Sequence, residues 1–122
     1  MRVPYEYAII QASPRIERGE LMNVGVLLYC QRLDFLEART HLHTGRLRAL
    51  DPSADVEAIG AALVSWDKTC QGSGAAADMK QGERFRWLVA PRSTILRAGP
   101  VHMGLAVDPA AELDRLLDLL VR

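Results

Sequence analysis

Met22 to Cys30 reads Met-Asn-Val-Gly-Val-Leu-Leu-Tyr-Cys, a near-continuous apolar run of strand-forming residues. A half-wet strand would alternate; an unbroken apolar run predicts a central strand covered on both faces. Its neighbours in sequence fit that role. Tyr5 to Gln11 alternates and is rich in aromatic and β-branched residues, which predicts a strand before it. Phe35 to Leu42 alternates after it, across the short turn Arg32-Leu33-Asp34. Together the three segments predict an antiparallel meander.

Helical signals follow. Asp51-Pro52 predicts a helix start, with Asp as N-cap and Pro at the first helical position. Val56, Ile59, Leu63, Trp66 and Cys70 then recur at spacings of three and four, drawing one apolar stripe that Gly72 ends. Asp108-Pro109 repeats the start signal ahead of Leu113, Leu116, Leu117 and Leu120. Thr94 to Arg97 and Val101 to Val107 predict a pair of strands separated by Gly99-Pro100, and His43 to Leu50 fits a short helical turn. Glu83 to Val89 fits two patterns, a strand with Phe85, Trp87 and Val89 inward or a short helix ended by Pro91. Gln71 to Gly82, with its three glycines, predicts a flexible loop within the domain. The order predicts an α+β fold, a mostly antiparallel sheet with two main helices packed on one face of it.

At 122 residues the chain reads as a single domain, residues 1–122. Fifteen basic and fifteen acidic side chains cancel, which argues against a nucleic-acid partner, since such partners usually call for a basic excess. Thirteen of the basic residues are Arg. Codon usage in a GC-rich genome accounts for such a bias; a planar fork that grips carboxylate or phosphate is the chemical alternative. The longest apolar run, Val24 to Cys30, is seven residues, far short of the roughly twenty that span a bilayer. No membrane association and a cytoplasmic location are expected. Cys30 and Cys70 are too far apart in sequence for a metal or redox motif and read as buried thiols in a reducing compartment.

Three places hold chemistry-bearing residues. The polar loop from Pro14 to Asn23 sets Arg15, Arg18 and Glu20 between two core strands, and Asn23 sits one residue inside an apolar one. Loops held by rigid strands often carry function, and two such arginines suit an anion; a solvated hairpin loop whose charges pair with one another is the plainer expectation. Arg84-Phe85-Arg86-Trp87 with Arg92, Ser93 and Thr94 interleaves cations and aromatics, which suits phosphates or stacked bases. His102 lies within a predicted strand. His41 and His43 lack a third ligand at suitable spacing, so no metal is expected, and no cofactor motif is present. No GxSxG, P-loop, HExxH or CxxC motif occurs either.

Tyr7-Ala8-Ile9-Ile10-Gln11, Pro14-Arg15, Arg18-Gly19-Glu20 and Asn23-Val24-Gly25-Val26-Leu27-Leu28 resemble the opening signature of a bacterial family, domain of unknown function 3037. Arg84 to Leu88, Arg92-Ser93, Val101-His102-x-Gly104 and the closing Asp108-Pro109 helix extend the resemblance over nearly the whole chain. The resemblance implies a small bacterial cytoplasmic protein without assigned catalytic residues. It also implies a protein partner, since members are often encoded beside HipA-like kinases. Two functions are therefore expected in competition. One is a non-enzymatic protein-binding or accessory module, a partner of a HipA-like kinase, with an exposed apolar patch or an uncovered sheet edge through which a homodimer could also form. The other is a phosphate- or nucleotide-handling protein that gathers Arg15, Arg18, Arg92 and His102 around a phosphate, with Glu20 as a base. The expected binding site is the loop from Pro14 to Asn23 joined by Arg92, Ser93 and His102.

Overall fold

A computed structural model describes residues 1–92 and 94–122. Among the described residues, five strands and four α-helices follow in the order β1 (Val3–Ala12), β2 (Met22–Cys30), β3 (Phe35–Thr40), α1 (Thr44–Leu50), α2 (Val56–Cys70), α3 (Gln81–Val89), β4 (Leu96–Ala98), β5 (His102–Ala106) and α4 (Pro109–Leu120). All strand pairings are antiparallel, and β1, β2 and β3 form the expected meander. The ambiguous segment 83–89 is helical. Phe85 and Leu88, three residues apart, are its buried positions, whereas a strand would have turned both Phe85 and Trp87 inward.

The β2 strand buries both faces, and a single extra residue shows how. Ile10 pairs with Gly25, but Gln11 pairs with Asn23, so Val24 is inserted into β2 as a β-bulge. The insertion switches the side-chain alternation. Met22, Val24 and Leu27 enter one core with Ile59 and Leu63 of α2 and Phe85 and Leu88 of α3, whereas Val26, Leu28 and Cys30 enter a second core with Leu113, Leu116 and Leu117 of α4. The helices therefore pack on both faces of the sheet, not on one. Each helical stripe specifies a single docking face but not which side of the sheet receives it, and the doubly apolar β2 needs both covered.

One further expectation is corrected. Asp51 does not cap α2. Asp55, directly ahead of the apolar stripe, accepts from the Ala58 amide at 3.0 Å, while Asp51 closes α1 and accepts from the amide and hydroxyl of Ser53 at 3.0 and 2.8 Å. The Asx turn at Asp51 competes with helix capping, and the Asp adjacent to the periodic residues wins. The two strands expected on either side of Gly99-Pro100 are β4 and β5. Both pair with β1, Ala98 against Ile10 and His102 against Tyr7, so they run end to end along one side of it with an irregularity at Gly99-Pro100. The Gly99 amide still reaches the Ile9 carbonyl at 2.8 Å across this break.

Glycine is required at Gly104 because an aromatic ring passes over it. Tyr5 is its register partner, and a Cβ at Gly104 would stand 2.6 Å from Cζ of that ring. The ring continues to α4, where the Tyr5 hydroxyl donates to Glu112, and Arg115 clamps the same carboxylate at 2.7 and 2.9 Å. One tyrosine thereby joins β5, β1 and α4. Gly104→Ala is expected to destabilise the fold by about 2 kcal/mol through overpacking, and by much less in a Tyr5→Leu background; chemical denaturation of the four proteins of that double-mutant cycle checks the coupling.

Candidate functional site

Phe85 stacks on Tyr29 at a centroid distance of 5.3 Å and seats α3 against the sheet. Arg84 turns back to the end of α2, donating to the Cys70 carbonyl at 3.1 Å and to Met79 at 2.7 Å. Arg86 turns toward the strands and holds Glu6 of β1 through two hydrogen bonds of 2.7 and 2.8 Å. Trp87 is left half-exposed. These side chains bound an open groove of about 670 Å³ lined by Glu6, Tyr29, Gln31, Met79, Arg86 and Trp87. Glu6, Tyr29 and Gln31 also line a smaller recess that reaches Met103 of β5. The groove thus runs from α3 to Met103 of β5, with Tyr29, Met79 and Trp87 as its apolar surface and Glu6, Gln31, Glu83 and Arg86 as its polar one.

The arginines singled out in the sequence are placed otherwise. Arg15 lies 3.8 Å from Asp51, and Arg18 bonds to Glu20 two residues away. Arg18 thus has a carboxylate partner within its own loop, and Arg15 stands near one at the end of α1. Asn23 is structural: its amide donates to the Leu120 carbonyl at the end of α4 at 3.0 Å and accepts from Gln11 at 3.3 Å. Arg92 lies over Trp87 at 4.8 Å and Trp66 at 5.9 Å and donates to the Trp87 carbonyl. His102 stacks on Tyr7 at 5.3 Å, on the α4 face of the sheet. Ser93 falls outside the described residues.

The two polar segments do meet, but through backbone and apolar contacts. The Ser13 amide donates to the Ile95 carbonyl at 2.7 Å, and Ile16 shares a recess with Trp66 and Thr94 to Leu96. Arg92 shares its own recess, about 370 Å³, with Arg97 and Gln11 rather than with Arg15, Arg18 or His102. Arg97 is the residue that reasoning from sequence passed over. Its signal was present, since Gly99-Pro100 interrupts the strand immediately after it and opens that recess.

Cys70, Tyr5 and Glu112 titrate away from their ordinary values. Burial pushes the Cys70 thiol up to about 12, which keeps it protonated and inert. Burial, then the bond to Glu112, raises the Tyr5 hydroxyl to about 12. Arg115, and after it Tyr5, hold the Glu112 carboxyl below its ordinary value against its partial burial. His43 caps α1, accepting from the Arg46 amide at 2.9 Å.

Two tests of these roles follow from the geometry. Asn23→Ala should cost about 1–2 kcal/mol because it leaves the end of α4 and Gln11 unpartnered, whereas Arg18→Ala, at an exposed pair, should change stability by less than about 1 kcal/mol; urea denaturation compares them. A raised tyrosine value contributes stability that is fully present below pH 10 and lost as pH rises toward about 12. Tyr5→Phe should therefore lower stability at neutral pH and flatten its decline over that alkaline window, as followed by circular dichroism.

No curated protein and no solved structure matches the chain. A family model described as "Protein of unknown function (DUF3037)" matches residues 7–121, and the chain belongs to that family.

Proposed function

We propose that this protein is a cytoplasmic, non-catalytic accessory module whose groove beside α3 docks a protein partner, and that the partner is a HipA-like kinase. The observation that carries the docking reading is the pairing of a half-exposed tryptophan with an open groove. Trp87 stands 46% exposed and lines that groove together with Met79, Tyr29 and the Arg86–Glu6 pair. Trp and Arg are the residues that most often dominate binding energy at interfaces, and Met adapts to irregular partner surfaces. The balanced net charge fits a protein partner better than a polyanion. The kinase as partner comes from the family resemblance.

The second reading, an anion-handling protein, is favoured by one feature. Arg92 and Arg97 line one recess with Gln11, and among the described residues neither pairs with a carboxylate within 4.0 Å. Two guanidinium groups beside an amide suit a phosphate or carboxylate.

Co-expression with a HipA-like kinase separates the two. The docking reading expects a complex that survives size-exclusion chromatography at micromolar concentration, weakened at least about tenfold by Trp87→Ala. Absence of any complex would overturn it. A melting temperature raised by inorganic phosphate or pyrophosphate, and no longer raised in Arg97→Ala, would favour the anion reading instead.

A further inference from the structure

We propose that β5 pairs with the β5 strand of a second copy of this chain, antiparallel and about a two-fold axis at Gly104, so that two sheets join into one. This goes beyond the docking reading and does not rest on it: it concerns the backbone edge of β5, where Met103 alone borders the recess that continues from the α3 groove.

The β5 strand bonds to β1 on one side, and among the described residues no strand takes its other side. An open edge presents unpaired N–H and C=O groups to any extended chain, and folded proteins guard such edges with charges, proline or bulges. The opposite edge of this sheet is guarded. There β3 carries Glu37 and Arg39, paired at 2.7 Å, with Arg39 also 3.4 Å from Asp114 of α4. The β5 edge is not. A quarter of the chain's residues are charged, yet none from Gly99 to Val107 is. Met103 and Leu105 of β5 are 72% and 54% exposed and alternate along the strand; Val101 and Val107, which flank the strand, are 39% and 64% exposed and extend the apolar row.

The occupant is a second copy because this edge matches itself. With Gly104 opposite Gly104, Met103 of one copy faces Leu105 of the other, and Val101 faces Val107. On the reverse face His102 meets Ala106. No charged residue meets another, and every member of the exposed row gains an apolar cross-strand neighbour. A two-fold contact of this kind uses one surface twice and closes, so it ends at a dimer. The chain's zero net charge adds no repulsion between copies.

The register is tested by a charge swap at Met103 and Leu105, exposed positions that belong to neither core. The wild-type chain should run as a dimer by light scattering across a micromolar-to-millimolar concentration series. Met103→Lys and Leu105→Glu, each alone, should raise the dissociation constant at least about tenfold, since each substitution enters the interface twice. The double variant M103K/L105E should recover the dimer, because the introduced charges of opposite sign then face one another twice. A monomeric wild type at every concentration would overturn the proposal. So would a dimer indifferent to the single substitutions, or one that the double variant fails to restore. Failure here leaves kinase binding and its Trp87 dependence unaffected, so the two ideas fall separately.

Discussion

The structure turns on the requirement that β2 bury side chains on both faces. A strand with an apolar residue at almost every position cannot lie on a surface, and a sheet covered on one side would leave Val26, Leu28 and Cys30 wet. The bulge at Val24 resolves a conflict within the strand itself. It sends Met22 and Val24 into the core beneath α2 and α3, and it turns Asn23 toward α4, where its amide closes the helix end. Gly25 belongs to the same device, since a Cβ there would stand 2.8 Å from the Arg39 carbonyl of the neighbouring strand. The Asn-Val-Gly run is thus a backbone solution before it is anything else.

Much of this was legible in the sequence. The β2 boundaries, the meander, the stripe of α2 and the Asp108-Pro109 start of α4 all rest on local patterns of polarity and capping, and these are read directly from residues. The side of the sheet each helix chooses is a property of the whole chain, and a single-sided stripe is equally content on either face. The Asp51 and Asp55 capping sites show a subtler limit. Both residues favour non-helical turns, and only adjacency to Val56 and Ile59 decides which one begins the helix. The collinear arrangement of β4 and β5 depends on the length of β1, which continues past both ends of the alternating segment.

The arginines show where residue type stops short of function. Arg15 and Arg18 stand near Asp51 and Glu20, Arg84 serves the end of α2, and Arg86 binds Glu6 across a groove. Identical side chains serve loop, cap and groove rim, and only the fold distributes the roles. The exposed tryptophan and the uncharged β5 edge lie on the other side of that distinction. Trp87 packs against Arg92 on one side and stays half-exposed, and the β5 edge has no strand beyond it among the described residues.

The protein carries its own reporters for the two-core arrangement. Cys30 is buried in the core beneath α4 and Cys70 in the core beneath α2, and both are free thiols. Labelling of each by a thiol reagent, followed by mass spectrometry across a urea series, reads the opening of the two sides of the sheet separately. If β2 binds both cores into one cooperative unit, the two thiols react with the same opening free energy and the same urea dependence. Rapid labelling of Cys30 in the absence of urea, with Cys70 still protected, would mean that α4 does not seal its face, and the account built on β2 would fail.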